Sequence, residues 1–270
     1  MHSNKYGNIQ HYLESREPFR ISRNKPYFPG ESERCVEIPF VFSSIGKERK
    51  IVDIGTSLAD PSYFYGLLSL IEQKRDIYAC DIVPFNRVHN RFVKFDQSLI
   101  NSIRFSCQDI RFCSYKTDTF DLVLCVSVLE HLGFDKFLES PSTVFDRPTH
   151  DYSSFPALYD CKEDEKAIRE MMRILRPGGK LILTVPFGSG GVFSTKDSKG
   201  RYAMHLEYNE NKWNQIKSSM PAGTTIYEHI YKHDSSLGWQ EVAESVNFPE
   251  HVPGNEYKEN GVLCVVIVKK

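Results

Sequence analysis

The stretch IVDIGTSLADP, residues 51–61, is typical of the first strand and turn of a nucleotide-binding α/β fold. Its apolar strand carries an acid at Asp53 and breaks at Gly55, the residue type that turns a chain most easily. Asp60 and Pro61 suit the start of a helix, because aspartate caps helix N-termini and proline fits the first helical turn. A strand, a glycine turn and a capped helix therefore predict the first βα unit of a sheet.

The same turn disfavours a bound dinucleotide. The Gly-x-Gly-x-x-Gly pattern uses its second glycine to approach a pyrophosphate and its third to pack the helix. Counted from Gly55, these two places hold Ser57 and Asp60. A carboxylate at the helix N-terminus repels the phosphate that would bind there, which argues against NAD and FAD. A ligand that carries positive charge and no phosphate, such as S-adenosylmethionine, fits this turn better.

Beyond residue 50, apolar strand-like runs alternate with helical stretches. The strand-like runs are residues 50–55, 76–82, 103–110, 120–132 and 180–188, and helical patterns cover residues 61–73 and 163–175. Apolar strands separated by helices predict a parallel sheet that is covered on both faces. The end of the chain differs, because the strand-like runs 224–233 and 261–270 need no helix between them. These two runs are predicted to pair antiparallel.

The chain divides into an arm and one large domain. Residues 1–48 are polar and interrupted by prolines, which indicates an N-terminal arm or cap, and residues 49–270 form the predicted domain. Three insertions interrupt it, at about residues 133–160, 188–207 and 234–260. The first two follow the carboxyl ends of parallel strands, where open α/β sheets bind ligands. We therefore expect these two loops to belong to a binding site.

Composition narrows the functional classes. The net charge of −1 over 270 residues gives no general basic footprint, so nucleic acid is a disfavoured partner. The seven cysteines include no Cys-x-x-Cys pair, and those at positions 80, 107, 125 and 264 are predicted to be buried thiols. The N-terminus has no signal-like apolar region and no run is long enough to span a bilayer. These features predict a cytoplasmic protein without a membrane span, and they do not set an oligomeric state.

Acids end three successive strands of the predicted sheet. Asp53 lies in the first strand, Asp81 ends the second and Asp109 ends the third. An acid in the place of Asp81 can accept hydrogen bonds from both ribose hydroxyls of an adenosine. Asp109 is placed to accept one from an adenine amino group. Together the three acids predict an adenosine-binding edge, although aspartate is also common at strand ends for local reasons.

Five segments run in the order of a known family: VDIGTSLAD, YACDI, SCQDI, FDLVLCVSVLEHL and AIREMMRILRPGGKLILTVPFG, within residues 52–188. They resemble class I S-adenosylmethionine-dependent methyltransferases, and the Leu-Glu-His ending after the fourth strand resembles the type 11-like branch. Residues 34–55 and 201–239 are similar to methyltransferases of glycan and polysaccharide biosynthesis. The resemblance implies a Rossmann-like α/β fold whose seven-stranded sheet is mostly parallel, with helices on both faces and an antiparallel last strand.

The resemblance also implies a cofactor site for S-adenosylmethionine. By position, the methionine part would be lined by Asp53, Gly55, Thr56 and Ser57, the ribose and adenine by Asp81, Ile82, Asp109 and Ile110, and the sulfonium by Ser127 and Val128. The sequence departs from the family in its turn, where Ser57 and Ala59 replace residues that are usually glycine. This departure keeps a second hypothesis open: a non-catalytic protein that binds adenosine or S-adenosylmethionine on the same fold.

The predicted reaction is methyl transfer to a small-molecule or sugar-containing acceptor, at oxygen. A hydroxyl acceptor benefits from a general base, and three histidines are candidates: His131, His150 and His205. His131 could also orient the cofactor or make a structural hydrogen bond. Arg201 and Tyr202 lie in the second insertion and are candidates for the acceptor pocket. No metal is predicted, because the run from Ser127 to His131 lacks the first acid of the Glu-x-x-Glu-His pattern that holds a divalent ion.

Overall fold

The computed structural model describes residues 33–56, 59–83, 95–134, 144–145, 162–196, 202–243, 247–248 and 261–270. Within these ranges the helices are α1 (Arg34–Ser44), α2 (Pro61–Glu72), α3 (Gln97–Ile100), α4 (Glu163–Ile174) and α5 (Glu210–Ser218). The strands are β1 (Lys50–Ile54), β2 (Asp76–Asp81), β3 (Arg104–Cys107), β4 (Phe120–Val126), β5 (Val144–Phe145), β6 (Leu175–Pro186), β7 (Gly191–Lys196), β8 (Tyr202–Glu207), β9 (Thr225–Asp234), β10 (Gly238–Val242) and β11 (Gly261–Val268). Short 3-10 helices cover Ile110–Phe112 and Leu129–His131.

The main sheet of the described residues has eight strands in the order β10-β9-β11-β6-β4-β1-β2-β3. Strands β3, β2, β1, β4 and β6 run parallel to one another. All but the first residue of β1 are buried, and β4 is buried up to its last residue. The predicted parallel sheet is confirmed. The sequence predicts it because strands covered on both faces must be apolar along their whole length.

The far end of the sheet is antiparallel. Strand β11 pairs antiparallel with both β6 and β9, which confirms the predicted pairing of the last two long strands. The sheet has one strand more than the expected seven, because the chain turns after Asp234 and returns as β10 along the edge of β9. Trp239 in β10 is fully buried. Burial of this large side chain supplies apolar contact area that favours an additional strand at the edge.

Helices cover both faces of the sheet. Helix α4 packs Ala167, Ile168, Met171 and Met172 on one face, together with Trp213 and Ile216 of α5. The other face is covered by α1 and α2, which contribute Val36, Ile38, Phe40, Tyr63 and Phe64 among other apolar residues. Helix α1 therefore lies on the core, although the sequence around it suggests only a polar arm.

The two insertions that follow β4 and β6 meet each other. Strand β5 from the first insertion pairs with β8 from the second, and β8 also pairs with β7, so that the described residues form a second sheet of three antiparallel strands. The isolated bridge between Phe187 and Tyr208 joins the base of this hairpin to the end of β6. The small sheet therefore stands at the carboxyl edge of the parallel strands, where the sequence places a binding site.

The cysteines follow the prediction with one correction. Cys80, Cys125 and Cys264 are buried, and burial raises their thiol pKa values. Cys107 is exposed, contrary to the prediction, because it ends the edge strand β3, which has a neighbour on one side only. No helix in the described ranges has the length and apolar character needed to cross a membrane.

Candidate functional site

The turn after β1 is built around Gly55. This glycine has φ +82°, a conformation that favours glycine, and its amide donates to the carbonyl oxygen of Cys80 in β2 over 2.9 Å. A Cβ atom on Gly55 would lie 2.3 Å from Cγ2 of Val128, which follows β4. The turn and the end of β4 therefore touch so closely that no side chain fits between them.

The carboxylate of Asp53 stabilises this turn through two hydrogen bonds. It is 1% exposed, accepts a hydrogen bond from the Tyr63 hydroxyl over 2.5 Å and accepts a second from the Thr56 hydroxyl over 2.6 Å. Burial raises its pKa to about 7, with the nearby charge of Asp81 acting in the same direction, while the two hydrogen bonds oppose the rise. Both oxygens of Asp53 are thus engaged by the protein, which fixes the path of the chain from β1 into α2.

The start of α2 agrees with the sequence. Asp60 is the N-cap residue, and its carboxylate accepts from the amide of Ser62 over 2.8 Å, with Pro61 in the first turn. The capping prediction is confirmed. The helix terminus that would receive a phosphate therefore carries a negative charge of its own.

Asp81 and Ile82 stand at the end of β2, beside the turn. Asp81 is 8% exposed, and its Oδ1 accepts from the Val83 amide over 2.9 Å. Ile82 is 38% exposed, so part of its apolar side chain is open to solvent beside this acid. A carboxylate beside an exposed apolar surface suits a ribose beside a flat base.

Asp109 and Ile110, which the resemblance assigns to adenine, both make contacts within the protein. Asp109 caps the 3-10 helix Ile110–Phe112, and both of its carboxylate oxygens accept from the guanidinium of Arg111. Arg111 also pairs with Glu163 at the start of α4. Ile110 is buried in the core. Asp109 and Arg111 therefore join the end of β3 to α4. Arg111 is only two residues after Asp109, so this partner could have been predicted from the sequence.

Ser127 is held in a left-handed conformation, with φ +48°, directly after β4. Its amide donates to the carbonyl oxygen of Thr184 over 3.1 Å and to the Thr184 hydroxyl over 3.2 Å. Its own hydroxyl donates to Oε1 of the buried Glu37 over 2.7 Å and accepts from Arg34 over 2.6 Å. Arg34 and Glu37 were not among the predicted site residues, since contacts across about 90 positions leave no local pattern.

His131 and His205 approach each other at the mouth of the site. His131 ends the 3-10 helix Leu129–His131 and its side chain is 34% exposed. The ring centroids of His131 and His205 lie 6.5 Å apart, and the ring of Phe193 in β7 lies 6.0 Å from that of His205. His205 is buried, so His131 is the more accessible of the two bases.

Glu130 is the most unusual acid in this region. It is buried, its Oε1 lies 3.9 Å from Nε2 of His131, and its Oε2 has no hydrogen-bond partner among the described residues. Burial raises its pKa to about 8, and the charge of Glu37 adds to this rise. The Glu130 carboxyl group is therefore largely protonated near neutral pH.

Four predicted residues lie wholly or partly outside the described part of the chain. Ser57, His150 and Arg201 lie outside the described residues, and of Tyr202 only the backbone is described, paired with Phe145 and Lys196. Within the described ranges, no three His, Cys, Asp or Glu side chains are grouped so that they could hold a metal ion. Among the predicted residues, direct contacts join Asp53 to Thr56 and Gly55 to Val128, and His131 lies beside His205. The amide of Gly55 also bonds to the strand that ends at Asp81.

Comparison with known proteins supports the fold. No protein family model and no curated protein sequence matches the chain. Among solved structures, a methyltransferase of Methanosarcina mazei dependent on S-adenosylmethionine matches with TM-score 0.53 and 15% identity, over 86% of this chain and 97% of that one. The N-methyltransferase NodS of Bradyrhizobium japonicum, in complex with S-adenosyl-L-homocysteine, matches with TM-score 0.45 and 16% identity over 99% of both chains. The fold assignment rests on the first of these and on the strand order, which together show that the chain has the Rossmann-like fold of class I S-adenosylmethionine-dependent methyltransferases.

Proposed function

We propose that the chain is a methyltransferase that uses S-adenosylmethionine and acts on a small-molecule or sugar-containing acceptor, at oxygen. One observation carries the proposal: Asp81 and the exposed Ile82 stand beside the glycine turn at Gly55, at the carboxyl edge of a methyltransferase-type sheet. Asp81 would accept hydrogen bonds from the ribose hydroxyls, Ile82 would offer an apolar face to adenine, and the backbone turn at Gly55 would lie near the methionine part of the cofactor.

The charges of the site fit this cofactor. Asp60 occupies the N-terminus of α2, so a pyrophosphate would meet a negative charge at the place where it binds in dinucleotide folds. S-adenosylmethionine has no phosphate and carries positive sulfonium and ammonium groups. In the proposal, Asp81 and Ile82 hold the adenosine, the turn at Gly55 and Thr56 holds the methionine part, and Ser127 and Val128 lie at the sulfonium.

The two histidines suit proton removal from an acceptor hydroxyl. S-adenosylmethionine supplies a methyl group already activated on positive sulfur, so the protein mainly has to align the acceptor. In the transfer, the acceptor oxygen forms a bond to the methyl carbon, the carbon–sulfur bond breaks, and the sulfur keeps the electron pair. His131 is exposed enough to receive the hydroxyl proton, while the buried His205 of β8 lies beside it and next to Phe193 of β7.

The small sheet favours a compact acceptor. Strands β5, β8 and β7 come from both insertions and stand beside the helical turn that carries His131. An acceptor bound there would be enclosed by chain on at least two sides. A net charge of −1 supplies no broad attraction for a polyanion, which supports a small-molecule or glycan-type acceptor over nucleic acid.

Mass spectrometry of acceptor mixtures tests this function. The protein is incubated with trideuteromethyl-labelled S-adenosylmethionine and matched pairs of compounds, in which a hydroxyl group of a nucleotide sugar or glycoside is replaced by an amine. We expect label in the hydroxyl compounds, and less label at low cofactor concentration with Asp81→Ala as the enzyme. Label in the amines alone would move the transfer to nitrogen. Tight cofactor binding without transfer to any acceptor would favour the non-catalytic binding protein.

A further inference from the structure

A buried carboxylate on α1 reaches the end of β4. Glu37 is fully buried, and its Oε1 accepts from two hydroxyl groups, that of Ser127 over 2.7 Å and that of Thr184 over 2.6 Å. Its Oε2 is paired with Arg34, one turn earlier on α1. The three partners come from α1, from the residue that follows β4, and from β6. Glu37 therefore ties helix α1 to two neighbouring strands at the carboxyl half of the sheet.

Ser127 needs this support because of its backbone. A non-glycine residue at φ +48° is uncommon and costs free energy unless its surroundings hold it there. Two sets of hydrogen bonds hold Ser127: its amide is bound to Thr184, and its hydroxyl is bound to Glu37 and Arg34. The next residue, Val128, is the one that presses against Gly55. The conformation of Ser127 thus sets where the end of β4 meets the glycine turn.

We infer that Glu37 is a positioning residue for methyl transfer, which acts through Ser127 and makes helix α1 part of the cofactor site. The inference rests on the proposed function, in which Ser127 and Val128 lie at the sulfonium. Glu37 holds Ser127 in the conformation that aims its backbone at the cofactor. Glu37 also balances the charge of Arg34, which donates to the Ser127 hydroxyl. Without Glu37 an unbalanced positive charge would stand near a sulfonium that is positive in S-adenosylmethionine and becomes a neutral thioether in the product, S-adenosylhomocysteine.

This difference between substrate and product gives a specific readout. A loss of general stability weakens binding of both ligands alike, whereas a loss of positioning and charge at the sulfonium weakens S-adenosylmethionine more. The variant Glu37→Gln keeps the shape and one oxygen acceptor but removes the charge. By isothermal titration we expect its dissociation constant for S-adenosylmethionine to rise about tenfold, with a change below about threefold for S-adenosylhomocysteine.

Asp164 supplies a matched control. It is also a fully buried carboxylate in a helix, and it accepts from the Tyr208 hydroxyl and pairs with Lys212. Its partners lie directly after β8 and on α5 rather than at the end of β4. The variant Asp164→Asn should therefore lower thermal stability, while the ratio of the two dissociation constants stays within about twofold of wild type.

A second pair of variants does not depend on folding of the Glu37 variant. Both Ser127→Ala and Ser127→Gly remove the hydroxyl, but only glycine adopts a positive φ without cost. We expect Ser127→Gly to bind S-adenosylmethionine about fivefold more tightly than Ser127→Ala, on the order of the left-handed penalty for alanine. Equal binding by the two, or equal weakening of both ligands in Glu37→Gln, would overturn the inference alone. Wild-type protein that binds neither ligand would overturn the proposed function as well.

Discussion

Gly55 and Val128 are in direct contact across the carboxyl edge of the sheet. A Cβ atom at position 55 would come within 2.3 Å of Val128 Cγ2, and the φ of +82° at Gly55 disfavours any other residue. The turn after β1 and the residue after β4 come from segments far apart in the sequence. Their contact brings together the two stretches that are proposed to hold the methionine part and the sulfonium.

Alanine at position 55 should damage the site beyond ordinary backbone strain. Gly178 is the matched control, because it also has a positive φ, +74°, but a Cβ atom there would meet nothing within 4 Å. We expect Gly178→Ala to cost ~1–2 kcal/mol for the left-handed conformation, and Gly55→Ala to cost ~1–3 kcal/mol more because Val128 must move. Urea unfolding and titration with S-adenosylmethionine measure both effects. Full cofactor affinity in Gly55→Ala would contradict the proposed role of this contact in the cofactor site.

Removal of Asp81 should weaken cofactor binding more than removal of His131. Asp81→Ala deletes the proposed acceptor of the ribose hydroxyls, so we expect the dissociation constant for S-adenosylmethionine to rise at least tenfold. His131 is proposed to serve the acceptor, so His131→Ala should change this constant less than about threefold and mainly lower the transfer rate, by roughly 10²-fold or more. Similar losses of cofactor binding in both variants, or the reverse order, would mean that the ribose site is misplaced.

Glutamine at position 130 should make stability less dependent on pH. Burial raises the pKa of Glu130 from 4.5 to about 8, so the folded protein binds this proton more tightly than the unfolded chain. The stability that protonated Glu130 contributes is present below pH 4.5 and is lost as the pH rises through about 8. Glu130→Gln lacks this loss and should gain, relative to wild type, on the order of 2–4 kcal/mol between pH 5 and pH 9.

Urea unfolding at several pH values measures this gain. Glu170→Gln serves as a control, because hydrogen bonds from Arg173 lower the pKa of Glu170 and its replacement should give no gain at alkaline pH. A constant difference between Glu130→Gln and wild type across this range would show that Glu130 is ionised in the folded protein.

Phenylalanine at position 63 tests the support beneath the turn. The Tyr63 hydroxyl donates to the buried carboxylate of Asp53 over 2.5 Å, and its loss should cost ~1–3 kcal/mol of unfolding free energy. Tyr227 is exposed, so Tyr227→Phe should change stability by less than about 0.5 kcal/mol. Chemical denaturation at pH 8 gives both values. A Tyr63→Phe variant as stable as wild type would show that Asp53 finds another donor.

The sequence predicts most of the elements around the site because their signals are local. Asp60 before Pro61 predicts the capped start of α2, and the apolar runs at residues 224–233 and 261–270 predict the antiparallel end of the sheet. The insertions after β4 and β6 could be located, but their pairing through β5 and β8 depends on contacts between distant segments. Strand β10 is short and polar on one side, so its five residues carry little strand signal.

The contacts that shape the site could not be predicted for the same reason. Glu37 appears in the sequence as one acid in the segment that is interpreted as a polar arm, and only folding places it against Ser127 and Thr184. Asp109 shows the opposite case, because its partner Arg111 is two residues away and the pair has the spacing of a capped turn. A basic residue two positions away is therefore an alternative partner to consider before an acid at a strand end is assigned to a ligand.

Isothermal titration of the wild-type protein with S-adenosylmethionine and S-adenosylhomocysteine tests the proposed cofactor most directly, with Asp81→Ala as the paired variant and NADH as the competing ligand. The predicted result is binding of both adenosyl compounds by wild type, at least tenfold weaker binding by Asp81→Ala, and no heat with NADH. Correctly folded wild-type protein that binds neither adenosyl compound, or that binds NADH instead, would contradict the proposed function.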